Sequence, residues 1–457
     1  MRDLGTDAAR TAAAASPAAP SLAEIEAFTQ RLAGDAAGLD DGERIDRIAA
    51  LERLGRATEA AQTETVADFV LSQRAAAAER GVPASRRDRG LGLQVALARG
   101  VSPTRGQQHV ALAMVLRREL PHTRAAHRAG HIDRFKATLV ARETAILSVE
   151  HRAQVDEDLC GDPTVAERLA PRRLVGRLHQ AAAELDPAAV VKRRARAEAD
   201  RHVTVRPAPD VMTWLGALLS LKDGVAVHAT LHREARRAKA AGDPRSIGQL
   251  MADILVQRVL CPGLADTAVA SSRAAVTWAG ASTPDTSSPV PTTPSLPVTV
   301  NLVVRDNVLL GDEDGTGWVE GHGPVPADLL RQWMADNLDA GVDTQVRRLY
   351  EQPATGALVA MDSSAEFFQG RLAEFIRLRD RICRTPGCDS RIRHIDHIVP
   401  RARGGPTTAD NGQGLCELCN YAKEADGWSA RTVPGPRHTV EITTPTGHTY
   451  TSTADEV

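Results

Sequence analysis

The stretch CRTPGCDSRIRHIDHIVPRARGGPTTADNGQGLCELCNYAKE, Cys383–Glu424, decides how the C-terminal part of this chain folds. Four residues separate Cys383 from Cys388, and two separate Cys416 from Cys419. Intervals this short let both members of a pair reach one tetrahedral ion from a single turn or knuckle. The 27 residues between the pairs can then form a small unit of their own. A secreted disulfide framework would also use paired cysteines, but nothing here signals export, and close pairs in a reducing compartment favour a metal. A structural Zn2+ held by Cys383, Cys388, Cys416 and Cys419 is expected. Such sites supply on the order of 10 kcal/mol of folding free energy.

A closed four-thiolate site has no open coordination position, so this zinc activates no water. Chemistry in the module needs a second ion and other residues. The insert contains them: RHIDHIVP is a short β-branched strand carrying His394, Asp396 and His397, ended by Pro400. ADN supplies Asp410 and Asn411. CNYAK supplies Asn420 and Lys423 on a helix expected to start near Cys416. A carboxylate and an amide oxygen suit a hard cation, Mg2+ or Mn2+, leaving room for water and phosphate oxygens. A neighbouring imidazole can take a proton from attacking water near neutral pH. His394 shares the strand face of Asp396, two residues away, and is expected to support the site.

Charge around the stretch points to its partner. Arg377, Arg379, Arg381, Arg384, Arg391, Arg393, Arg401 and Arg403 face only Asp380, Asp389 and Asp396, a local net charge of +5. The whole chain carries −2, so any polyanion footprint must be local. Binding to a phosphodiester backbone through such groups weakens steeply with salt. No base-reading helix is evident within this segment, so it carries no argument for sequence specificity. DNA is the expected partner and RNA the second choice. A zinc nucleobase deaminase is excluded for lack of an H-x-E paired with P-C-x-x-C.

Outward from this module the chain is mostly helical in pattern. Ile48, Leu51 and Leu54, then Val66, Phe69 and Val70, recur at helical spacing until Gly81 and Pro83. Ser102-Pro103 reads as an N-cap with proline at the first helical position, opening a helix through Val110, Met114 and Leu116. Val211, Leu215, Leu218 and Leu219 read as another amphipathic segment. KRRARAEADR, Lys192–Arg201, reads as a solvated helix face. Gly280–Pro297 holds five prolines and almost no large apolar group, so it cannot pack a core. Val298, Val300, Leu302 and Val304 then alternate as in a strand. Past Trp428, two β-like runs flank Pro445-Thr446-Gly447, a terminal hairpin with His438 and His448 at its surface. Cys160 and Cys261 read as inert buried thiols. The first residues lack an apolar signal core, and no run approaches the roughly 18 apolar residues of a membrane span. A soluble cytoplasmic protein with no membrane partner is expected.

IDHIVPRARGG, DN and LCELCNYAK resemble the HNH endonuclease family, the ββα-metal fold with a zinc knuckle. DPRSIGQLMADILV, GHGPVPADLLRQW and LRDRICRTPGCD resemble the actinobacterial proteins with domain of unknown function 222, the 13E12 repeat family. The resemblance implies a mainly α N-terminal region with a small α+β part, followed by a ββα-metal module. The expected division is a disordered leader at 1–21, a helical domain at 22–279, a Pro/Ser/Thr-rich linker or loop at 280–297, and a strand-plus-helices continuation at 298–370. The HNH module then spans 371–428 and a hairpin or tail 429–457. It also implies that Asp396 and Asn420 ligate the catalytic ion, and that His397 is the general base. Asn411 would tie the loop to the catalytic strand and orient His397. Asn420 stands where many relatives have histidine, which leaves the ion open between Mg2+ and Mn2+. Arg391, Arg393, Arg401, Arg403 and Lys423 are the candidate nucleic-acid contacts. The rival expectation is a zinc-stabilised DNA- or protein-binding protein whose catalytic residues are idle.

Overall fold

A computed structural model describes residues 19–34, 38–260, 302–304, 308, 315–319, 323–339, 351–352, 357–358 and 368–455. The Pro-rich stretch 280–297, Cys261 and most of the leader lie outside the described residues. The N-terminal region is helical. Helix α1 (Leu22–Leu32) and the 39-residue α2 (Asp41–Glu79) both open on a capping box, Ser21 with Glu24 and Asp40 with Glu43. On α2, Ala60, Thr63, Ala67, Val70 and Ala77 form the buried stripe, which is the spacing of one helix face. Gly81, at φ 76°, follows its end.

Helix α3 (Leu91–Arg99) and α4 (Pro103–Arg118) lie against α2. Pro103 takes the first helical position, although the Ser102 side chain makes no cap bond. Next come α5 (Pro121–Arg128), α6 (Arg134–Glu143), α7 (Val149–Cys160), α8 (Pro163–Arg168), α9 (Pro171–Leu185) and α10 (Pro187–Ala199). Leu116, Leu120, Ile132, Val140, Leu174 and Leu178 centre their core. Asp156 of α7 is fully buried and receives the backbone N–H groups of His122 and Thr123, the open end of α5. Cys160 is buried, and desolvation pushes its thiol up to about 11. The basic run on α10 has no buried residue, as a solvated face requires.

One segment departs from expectation. Val211–Leu219 is not helical: β1 (His202–Ala208) and β2 (Met212–Leu218) form an antiparallel hairpin. Leu215, Leu218 and Leu219 fit helical spacing, but Val203, Val205, Thr213 and Trp214 favour strand. Asp210 and Val211, both at φ 59°, make the turn that closes the pair. Helices α11 (Leu221–Ala240) and α12 (Ile247–Leu260) pack together beyond it.

The described residues resume with β3 (Leu302–Val303), β4 (Thr316–Val319) and β5 (Gly323–Pro326), one antiparallel sheet under α13 (Ala327–Asp339). Val319, Val325 and Leu330 form its small core. A short pair, β6 (Glu351–Gln352) and β7 (Ala357–Leu358), precedes α14 (Gly370–Asp380).

The C-terminal module follows. Strands β8 (His394–His397) and β9 (Gly412–Leu415) pair antiparallel, with Asp396 opposite Gln413 and His397 opposite Gly412. Helix α15 (Glu417–Lys423) packs against β8. The expected terminal hairpin is a three-stranded sheet: β10 (Ser429–Val433) adds to β11 (Thr439–Thr443) and β12 (Thr449–Thr453). Val440 and Ile442 of β11 are buried beside the four cysteines and Trp428. Leu93 and Leu97 of α3 enter the same core. A Cβ on Gly90 would fall 2.6 Å from Trp428 Nε1, so the start of α3 lies flush against the module.

Candidate functional site

The four cysteines meet at one point. The Sγ atoms of Cys383, Cys388, Cys416 and Cys419 all lie within 4.8 Å of one another, and every one is buried and outside any disulfide. A tetrahedral zinc with Zn–S bonds of about 2.3 Å sets sulfur atoms about 3.8 Å apart. Cys388 Sγ and Cys416 Sγ are 3.8 Å apart. Disulfide bonding would need about 2 Å. The donor set therefore fits zinc. Cys416 caps α15, so the knuckle also fixes where that helix starts.

Beside it, Asp396, His397 and Asn420 line one cleft, with Phe368, His394 and Ile395 on one side and Pro400, Arg401, Tyr421, Lys423 and Glu424 on the other. Strand β8 delivers the first two and α15 the third. His397 is buried, its ring centroid 4.6 Å from that of Phe368. Its Nε2 is 2.9 Å from the hydroxyl of buried Thr407, and its Nδ1 lies 3.9 Å from Asp396 Oδ1. Burial holds this imidazole below its usual range; the Asp396 carboxylate opposes that, and Lys423 and Arg401 add to it.

Asn411 ties the loop to the strand. Its Oδ1 accepts from Val399 N at 2.9 Å, while its Nδ2 donates to Val399 O at 3.0 Å and Pro406 O at 2.8 Å. Its own carbonyl accepts from Ile398 N at 2.8 Å. The loop comes so close that a Cβ on Gly405 would lie 1.8 Å from Val399 O, which only glycine permits.

Asn420 Nδ2 donates to His394 Nδ1 at 2.9 Å, and His394 stacks edge-on to Tyr421 at 5.8 Å. His394 thus holds the amide of Asn420. Asn420 Oδ1 is buried and without a hydrogen-bond partner. An orphaned buried oxygen is costly unless something outside the protein chain satisfies it. Asn420 lines a cleft shared with a carboxylate, and an unpartnered amide oxygen there fits a cation ligand. Lys423, expected on phosphate, is engaged within the site: its Nζ is 2.7 Å from Asp396 Oδ2 and donates to His397 O at 3.1 Å.

Of the arginines, Arg391, Arg393, Arg401 and Arg403 are exposed, and Arg401 reaches the cleft. Arg379 and Arg384 are buried instead, which removes them from the expected polyanion footprint. Both pair with Asp380, whose Oδ2 also accepts from Gly414 N. Arg379 further donates to the carbonyls of Ala409 and Gly412, and Arg384 to those of His438 and Ser452. His438 is also not a plain surface residue: it is partly buried and its Nε2 meets Asp410 O at 2.9 Å. Sequence reasoning missed Thr407, Phe368 and Gly405, none of which belongs to a spacing pattern. A glycine pair after a basic turn was the one signal for Gly405.

The family described as "Domain of unknown function (DUF222)" matches residues 45–380, and "HNH endonuclease" matches residues 381–426. An uncharacterized protein of Mycobacterium tuberculosis H37Rv, Rv3776, is 43% identical over 88 residues, which are 19% of this chain and 16% of that protein. A second from the same strain, Rv2100, is 44% identical over 85 residues, 18% of this chain and 15% of that protein. The similarity thus spans a small part of each relative. No solved structure matches the chain.

Proposed function

Since the chain belongs to the DUF222 family and carries an HNH endonuclease domain at residues 381–426, we propose that it is a metal-dependent endonuclease that hydrolyses phosphodiester bonds of DNA. The observation that supports this best is the shared cleft of Asp396, His397 and Asn420, together with the unpartnered Oδ1 of Asn420.

Asp396 and Asn420 would hold the Mg2+ or Mn2+ ion. When bound, that ion supplies Lewis-acid stabilisation of charge growing on the phosphate and the leaving oxygen. His397 is the general base. With Nε2–H donating to Thr407 Oγ1, the ring leaves Nδ1, on the Asp396 side, to take a proton from water. Asn411 and the Gly405 contact keep that loop, and so Thr407, in place. Arg401 at the cleft, with Arg391, Arg393 and Arg403, would hold the phosphate backbone. The thiolate-held zinc sets the start of α15 and takes no part in the reaction. A cytoplasmic location belongs to the same proposal and is supported by the four buried thiols; no described helix is long and apolar enough to cross a membrane.

One observation favours the rival reading of an idle site in a DNA- or protein-binding protein: the Lys423 ammonium sits on Asp396, where it competes with a cation. Incubation of the full chain with supercoiled plasmid separates the two. Nicking is expected with Mg2+ or Mn2+, and is lost in His397→Ala. Equal nicking by that variant, or none by the parent chain with either ion, would defeat the proposal.

A further inference from the structure

A second feature lies in the helical domain, outside the cleavage chemistry. Only Gly100, Val101 and Ser102 separate α3 from α4, and Gly100 takes the left-handed conformation (φ 62°, ψ 34°). The two helices cross at glycines: a Cβ on Gly106 would fall 2.1 Å from Gly92 O and 2.6 Å from Ala96 Cβ. A short helix, a three-residue turn containing glycine and a longer second helix follow the order of parts in a helix-turn-helix. In DNA-binding units of this kind the first turns of the second helix meet base edges.

The first turns of α4 are furnished for that task. Pro103 and Gly106 are buried, whereas Thr104, Arg105, Gln107 and Gln108 are exposed. Arginine pairs with guanine and glutamine with adenine through two hydrogen bonds each. Positive charge gathers around them. Arg99, at the end of α3, is bonded to Gln62, and Arg134 of α6 to Glu59, one turn away on α2. His109, one turn beyond Arg105, is driven down to about 4 by burial and by Arg99, Arg134 and Arg105. Guanidinium groups crowded in this way suit a polyanion that lies across them.

We propose that α3 and α4 are a duplex-DNA reading unit, with Thr104, Arg105, Gln107 and Gln108 on base edges in the major groove and Arg99 and Arg134 on flanking phosphates. The unit is fixed to the nuclease module. Leu93 and Leu97 of α3 share the core of the zinc knuckle, and Val101 O would be 3.3 Å from a Cβ on Gly387. Recognition unit and cleft therefore move as one body and, on the nuclease function proposed above, cutting occurs at a set distance from the recognised sequence.

The test uses the full chain with His397→Ala, so that binding is read without cutting and independently of the cleavage proposal. A labelled pool of duplexes with a randomised centre is selected on this protein in Mg2+-free buffer. One sequence motif is expected to emerge. Arg105→Ala or Gln108→Ala should lower affinity for the selected duplex about 5- to 100-fold and flatten the preference at one base pair. Arg99→Ala should weaken binding to every sequence alike and reduce its salt dependence. Melting temperature and zinc content, matched to the parent, establish that each variant is folded. Absence of any enriched motif, the same motif at the same affinity in Arg105→Ala/Gln108→Ala, or a preference for single strands over duplex would overturn the proposal.

Discussion

Replacing Asn411 by alanine isolates the contribution of the loop clamp. The side chain is 5% exposed and makes three hydrogen bonds, two to Val399 and one to Pro406. Each is worth about 1 kcal/mol net, and a buried group left unsatisfied adds about 1–3 kcal/mol. Pro406 is exposed, so water replaces its lost donor, whereas Val399 is only partly accessible. Loss of about 3 kcal/mol follows, confined to the module that holds β8 and β9. Guanidinium unfolding followed through Trp428, which is buried in that module, reads the change. Zinc retention should persist, because the side-chain hydrogen bonds of Asn411 go to Val399 and Pro406 and not to a cysteine. Nicking should fall even at low temperature, where the destabilised module stays folded, since the loop also carries Thr407. Asn411→Asp should be as damaging, for it sets a carboxylate against two carbonyls. A loss below about 1 kcal/mol with full nicking would refute the reasoning.

Replacing Cys416 and Cys419 by serine should release the zinc and melt the module, measured by metal analysis and by loss of the Trp428 signal, as a site worth on the order of 10 kcal/mol is removed. In Gly405→Ala, the methyl group would meet Val399 O and Asn411 Nδ2, so thermal unfolding should drop by several degrees without loss of zinc. Glu143 supplies a pH test in the helical domain. Burial raises its pKa, but hydrogen bonds from His179, Arg193 and Arg142 prevail and bring it to about 2. A depressed carboxyl contributes stability above its unfolded value of 4.5, lost as pH falls towards 2. Glu143→Gln should thus cost about 2–3 kcal/mol at pH 7 and almost nothing near pH 2, read by urea unfolding at both.

Much of the site was legible because its residues are close in sequence. Cysteine spacing pointed to the four-thiol cluster, and one strand, one loop and one helix turn carry Asp396, Asn411 and Asn420. Contacts between distant segments were not legible. Arg379 and Arg384 add to a charge count like any exposed arginine, and only the fold shows Asp380 between them. Leu93 and Leu97 follow an ordinary helical period, which gives no sign that their partners are cysteines near the other end of the chain. The hairpin over His202–Leu218 was misread at its second strand, because apolar residues on both faces satisfy either period. Thr407 was invisible for a simpler reason: a lone hydroxyl in a polar loop matches no pattern.

The packing of α3 into the knuckle also has a meaning in time. A ribosome takes tens of seconds to add the residues that separate these partners. Throughout that interval Leu93 and Leu97 lack the cysteine-cluster partners that cover them in the folded chain. A fragment that stops short of residue 383 would carry α3 and α4 without the cysteine cluster that packs on Leu93 and Leu97.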